Sequence, residues 1–224
     1  MQLNCKSHLQ YLEYCMLTVV VIRMLPDPER TSHTLFGEYF SVHEDNIDNF
    51  SKFRVIHSAQ ETNGKFYEMQ EWMPSSCGKG FSSSCAPPYH IHHRQNETFK
   101  ILKGQAKFKV NGVESYGNVG DTVFVPAGAK HHFCRGPDSE DDLLIDFKLE
   151  PALKGEKFFY EFVGMFRDHD LKPNPMLLIW LLCEHDMYLA DIPIPLHEAM
   201  CFSLRVVAPL LGYRISHDEY SSFQ

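Results

Sequence analysis

This chain of 224 residues predicts an antiparallel β-barrel or double-sheet jelly roll followed by a C-terminal helical extension. Three observations predict it. Short runs of alternating apolar residues fill residues 64 to 150, a tight-turn dipeptide lies among them, and the apolar spacing becomes helical after Pro151. The length suits one domain with a substantial core plus an appendage. A hydrophobic fraction of 44%, with 17 Phe and 10 Tyr, separates the chain from the disordered class.

Residues 1–23 read as an N-terminal extension. Its "CMLTVVVIRML" resembles a signal-peptide core, but Glu13 precedes it, Arg23 interrupts it, and no small-residue cleavage pattern follows. The stretch is too short to span a bilayer. Residues 24–150 are assigned to the barrel. In "KFYEMQEWM", Tyr67, Met69 and Met73 fall at even spacing, as do Phe108 and Val110 in "AKFKV", so each run is a strand with one buried face. Asn111-Gly112 then marks a two-residue hairpin, because both central positions of that turn favour positive φ. "DTVFVPAG", "HHFCRG" and "DLLIDFKLE" continue as strands.

From residue 151 to 224 the chain reads as helical. Leu153, Phe158, Phe159, Phe162, Val163 and Phe166 fall on one helical face, and "PMLLIWLLCEHDMYL" and "LHEAMCFSLRVVAPLLGYR" follow in helical style, with Pro209 kinking or ending the last. Glu184, Glu198 and Arg205 break the apolar runs, which favours packing on the barrel or a dimer partner over a membrane span and leaves surface membrane contact as a lesser alternative.

A formal charge of −8 argues against a surface for nucleic-acid phosphates. The acidic run Asp138, Glu140, Asp141, Asp142 reads as a solvated loop. Seven scattered cysteines, odd in number and without CxxC pairs, predict a reduced, cytoplasmic protein.

The chemistry concentrates in "PPYHIHHRQNETFKILKG". Side chains at i and i+2 of a strand share a face, so His90 and His92 point together and His93 points away. Glu97 lies at odd parity and needs a turn or bulge, for which Arg94-Gln95-Asn96 is polar enough. A fourth ligand comes from "GDTVFVPAGAKH", where His131 opens the strand after a Pro-Ala-Gly turn. Three imidazoles and one carboxylate suit Fe(II), Mn(II), Ni(II), Cu(II) or Zn(II), and the lack of thiolate ligands argues against a closed structural zinc site. By parity His132 faces away from the ligands, and Cys134, which shares that parity, reads by residue type as a small buried apolar residue and not a nucleophile. Tyr89 and Phe133 read as core or rim, and Trp72 and Trp180 as packing residues. His169, His185, His197 and His217 lack a paired ligand pattern, and no residue stands out as a general base.

His90, His92, Glu97 and Gly104 on one side, with Gly120, Pro126, Gly128 and His131 on the other, resemble the two motifs of the cupin superfamily. Two positions depart from the pattern: Ser84 stands where a glycine is usual, and Arg135 where an asparagine often ends the second motif. The resemblance covers roughly residues 60 to 150; the flanking segments look like small fungal cupin proteins associated with biosynthetic pathways. It implies an RmlC-like jelly roll, pairing into a homodimer through strand edges, and one divalent transition metal, Fe(II) favoured, on His90, His92, Glu97 and His131. The implied activity is an Fe(II) oxygenase or related oxidoreductase, dioxygenase-like, acting on a small organic molecule in secondary metabolism. A metal-assisted isomerase, cyclase or lyase working without O2 and a non-catalytic ligand-binding cupin are the alternatives, since one fold supports many chemistries.

Overall fold

A computed structural model describes residues 38–42 and 49–215. The N-terminal extension assigned to residues 1–23, with Cys5 and Cys15, lies outside them, as does His217. Eleven strands and three α-helices make up the described chain: β1 (Phe40–Ser41), β2 (Lys52–His57), β3 (Tyr67–Met73), β4 (His90–His92), β5 (Asn96–Lys103), β6 (Ala106–Val110), β7 (Val113–Gly117), β8 (Thr122–Val125), β9 (His131–Arg135), β10 (Leu143–Glu150), α1 (Lys157–Asp168), α2 (Pro175–Glu184), β11 (Met187–Leu189) and α3 (Ile194–Leu210).

All strand pairs are antiparallel and form two open sheets, ordered β1-β2-β3-β10-β5-β8 and β11-β4-β9-β6-β7. The period-two pattern decides which face of each strand is buried. In β10, Leu143, Ile145, Phe147 and Leu149 are buried while Leu144, Asp146 and Lys148 are half-buried on the other face. Phe99, Ile101, Met69, Phe108 and Phe133 join them in one core. The predicted hairpin forms as read: Val110 pairs with Val113, with Asn111 and Gly112 at φ 49° and 85°. Gly104 is demanded by a close approach, because a Cβ there would stand 2.4 Å from the Asp142 carbonyl oxygen.

The region after the barrel differs from the expected pattern in one element. Helix α2 stops at Glu184, and Met187–Leu189, expected to be helical, is strand β11, pairing with β4. Asp186 makes the turn at φ 59°, and its carboxylate accepts from the Arg94 backbone N–H at 2.7 Å and from Arg94 Nε at 3.0 Å. That apolar triplet serves a half-buried sheet edge as well as a helix, and the free edge of β4 selects the strand. Helix α1 lies between two cores. Tyr160 and Val163 belong to the sheet core, whereas Phe158 and Met165 pack with Leu177, Trp180, Leu181 and Leu204 of the other helices. Pro209 falls in the last turn of α3, which ends at Leu210. Among the described residues, no helix is long and apolar enough to cross a membrane.

Two further expectations are corrected. Cys77 pairs with Cys85 and Cys183 with Cys201 as disulfides, so four cysteines expected to be reduced are bonded, and Cys134 is free and buried. Separations of 8 and 18 residues carry no pairing signal in the sequence; the packing of α2 on α3 and the fold of the Cys77–Cys85 loop bring the partners together. The acidic run is also more than a solvated loop. Asp142 accepts from Trp72 Nε1 at 3.0 Å and from the Ser75 backbone N–H at 2.8 Å, and Glu140 pairs with Lys79 at 2.6 Å.

Candidate metal centre

Sheet register assembles the site. His90 on β4 is the direct pair partner of His131 on β9, and His92 lies two residues along the same face. Glu97 arrives from the opposite sheet, on the buried face of β5 with Phe99 and Ile101. The chain changes sheets between His92 and Asn96, which resets strand parity and answers the odd spacing of the glutamate. The Pro-Ala-Gly turn is tied to the ligand strand by the Gly128 N–H, which donates to the His92 carbonyl at 2.8 Å.

Candidate ligand atoms of the four residues all lie within 4.8 Å of one another, and all four side chains are buried. His90 Nε2 and His92 Nε2 are 3.2 Å apart, His131 Nε2 is 2.7 Å from Glu97 Oε2, and His92 Nε2 is 3.7 Å from the same oxygen. The Nδ1 atoms of His90 and His131 face the carbonyls of Pro88 (2.8 Å) and Ala129 (3.0 Å). A carbonyl only accepts, so both Nδ1 atoms carry a hydrogen and both Nε2 atoms aim inward. Burial, reinforced by His131 and His92, holds His90 well below the usual imidazole pKa, and burial also lowers His92 against the pull of Glu97. Burial acts the same way on His131, but the hydrogen bond and charge of Glu97 outweigh it and leave the pKa raised.

These groups fit a cation. Imidazole nitrogens and a carboxylate meet in a buried site, where unbalanced negative charge is costly. Donors bound at about 2.1 Å around one ion stand about 3 to 4 Å from each other, and the separations of 2.7, 3.2 and 3.7 Å lie close to that range.

The neighbouring residues take other roles. His93 stacks on Tyr188 and His132 on Phe81, both away from the cluster. Phe133 is core, and burial pushes the Cys134 thiol up to about 11. Trp180 packs in the helical core, and Trp72 bonds Asp142. Arg135, one of the two departures from the motif, donates through its guanidinium to the carbonyls of Ser75, Gly78, Ser139 and Asp141, fastening two loops. Cys183, His197 and Cys201 also cluster, but the disulfide occupies both sulfurs.

One residue of the site escaped the sequence reading. Glu71 shares the inward face of β3 with Tyr67, Met69 and Met73, is 5% exposed, and lines the cavity that also touches His90, His92 and Glu97. Burial raises its carboxyl to about 8; the Ser51 hydroxyl pulls the other way and the Glu97 charge adds to the rise. The signal was its even spacing from Met69, hidden because a glutamate does not read as an inward residue.

Residues 83–145 match the cupin domain family. The probable oxidoreductase virH of Hypocrea virens is 32% identical over 148 residues, which span 60% of this chain and 67% of that protein. The chain belongs to the cupin family. This cupin is also 31% identical over 107 residues to the oxidoreductase iacF of Pestalotiopsis fici, where the match takes in 44% of the cupin and about half of the relative, 52%. Among solved structures, a predicted oxalate decarboxylase from Thermotoga maritima superposes with a TM-score of 0.40 at 18% identity, over 55% of this cupin and 98% of that chain.

Proposed function

We propose that this cupin is an oxidoreductase that holds one divalent transition metal on His90, His92, Glu97 and His131 and acts on a small organic molecule, with Fe(II) the favoured ion and an oxygenase the favoured reaction class. The observation that carries the reading is the convergence of inward-facing imidazole nitrogens on one carboxylate within 4.8 Å. The names of the two fungal relatives, a probable oxidoreductase and an oxidoreductase, support the redox part of this reading. Bound at these ligands, such an ion supplies Lewis-acid polarisation of oxygen functions and, if redox-active, electron transfer.

The chain's own residues set the conditions for that chemistry. Pro88 and Ala129 orient two imidazoles through their carbonyls, Glu97 provides the negative charge, and Phe147 and Phe159 help to exclude water from the cavity.

Replacing His92 or His131 with Ala removes a ligand from a buried site. Each variant is expected to bind Fe(II), Mn(II) or Zn(II) at least tenfold to a hundredfold more weakly while the far-ultraviolet spectrum stays that of the native sheets. Metal content after dialysis, by mass spectrometry, checks this, and native stoichiometry in both variants rules the ligand set out. Oxygen uptake that requires Fe(II) and a candidate substrate identifies the oxygenase; anaerobic turnover would identify the isomerase, cyclase or lyase instead.

We also propose a homodimer. Edge strand β7 exposes Val113 and Tyr116, edge strand β8 exposes Phe124, and edges left unpaired among the described residues, with apolar side chains, favour a partner. Light scattering at micromolar concentration is expected to give twice the mass of one chain; a monodisperse monomer refutes it. The two disulfides favour an oxidising compartment over the cytoplasm that the cysteine spacing suggested.

A further inference from the structure

The cavity above the four candidate ligands has a volume of about 450 Å³, and its wall is mostly carbon. Phe53 and Phe147 come from the sheets, Phe159 and Phe162 from α1, and Leu178 and Ile179 from α2. Tilted rings line it, with Phe53 5.0 Å and Phe147 5.4 Å from Phe159. A sugar or a short polar acid would leave several hydroxyls or carboxylate oxygens facing these rings without partners, and buried polar groups without partners are disfavoured. Flat rings instead find edge and face contacts.

We propose that this cavity takes a mainly apolar, two- or three-ring molecule carrying two oxygen functions, one presented to the His90, His92, Glu97 and His131 cluster and the other hydrogen-bonded by the Glu71 carboxyl. The first contact rests on the metal reading above; the second does not.

Glu71 is placed for this by geometry. It projects from β3 into the lumen, and its pair partners on β2 and β10 are Phe53 and Ile145, so neither flanking strand offers it a cation. The Ser51 hydroxyl and the charge of Glu97 both act on it. A carboxyl so placed costs folding energy that an apolar residue would not. A carboxyl that lines the lumen exchanges a hydrogen bond with an oxygen function of a bound molecule, which an apolar side chain cannot do.

The test uses three probes, 2-naphthol, 2,6-dihydroxynaphthalene and glucose, titrated calorimetrically into the full chain, loaded with Zn(II) and after chelation. The expected result is that both naphthols bind and glucose does not. Glu71→Leu is expected to weaken the diol about tenfold in the chelated protein, through its lost hydrogen bond, and 2-naphthol less than about twofold. Glu71→Gln, which keeps a donor and the volume, holds the diol within about threefold of wild type. Neither variant changes metal content. Glucose binding as tightly as the naphthols, or no naphthol binding at all, overturns the substrate class whether or not the metal is present. Equal weakening of both naphthols by Glu71→Leu, with Glu71→Gln no better, overturns the role of Glu71. Diol affinity unchanged by chelation overturns the contact at the cluster alone, and normal metal content in that experiment leaves the ligand set intact.

Discussion

Truncation after Glu150 is expected to give insoluble or strongly dye-binding protein. The cut removes Tyr160 and Val163 from the sheet core, along with Phe159, Phe162 and Phe166 packed against it, and exposes what they covered. Each fully buried side chain of this size contributes about 1.5 to 3 kcal/mol. Tyr160 and Val163 are fully buried and the three phenylalanines partly so, and the sum is a large share of the net stability of a domain, about 5 to 15 kcal/mol. The cut also strips β11 from the edge of β4 and takes Asp186 from Arg94, loosening the strand that carries His90 and His92. Within the removed segment the helices are tied together by the buried His185–Glu161 pair at 2.6 Å, so they leave as a unit. We therefore propose that residues 151–224 are not an independent domain. Thermal denaturation followed by circular dichroism, with metal titration, decides the matter. A soluble 1–150 fragment that melts cooperatively and binds metal as the full chain does would make the segment a detachable appendage.

The second large effect belongs to Glu71→Gln. Burial raises the folded-state pKa of Glu71 from 4.5 to about 8. Below about pH 4.5 both the folded and unfolded chains hold the proton and the buried carboxyl is neutral in the fold. Between pH 4.5 and 8 the unfolded chain releases the proton while the folded chain keeps it, so stability falls as pH rises, at up to about 1.4 kcal/mol per pH unit. Above pH 8 the loss levels off, having reached several kcal/mol. The glutamine variant has no such proton and is expected to be more stable than wild type at pH 8, on the order of 3 kcal/mol, and close to it at pH 4.5. Chelated protein of both kinds, melted across this range, gives the difference curve, in which ligand titrations common to both cancel. Parallel curves would mean that Glu71 is ionised in the fold or reaches water.

The barrel strands, the Asn111-Gly112 hairpin and the change to helix after Pro151 are local: each follows from side-chain period or turn chemistry within a few residues, and each is present as read. His90, His92, Glu97 and His131 were legible for a different reason, since two short spacings bracket strands whose alternation already selects a face. What sequence could not settle depends on neighbours far along the chain. Met187–Leu189 is apolar enough for either helix or strand, and the open edge of β4 decided it. Glu71 has the inward parity of Met69 but the wrong chemistry for a core, and only the enclosed cavity shows why a carboxyl there matters. The cysteine pairs depend on packing over separations of 8 and 18 residues, which no spacing rule encodes. The sequence alone thus determined the antiparallel double-sheet class, the helical tail and the four candidate ligands, because period and turn preference act within a single element. Tertiary structure alone decided strand β11, the disulfides and the lumenal Glu71, because free edges, proximity and desolvation exist only once distant segments have met.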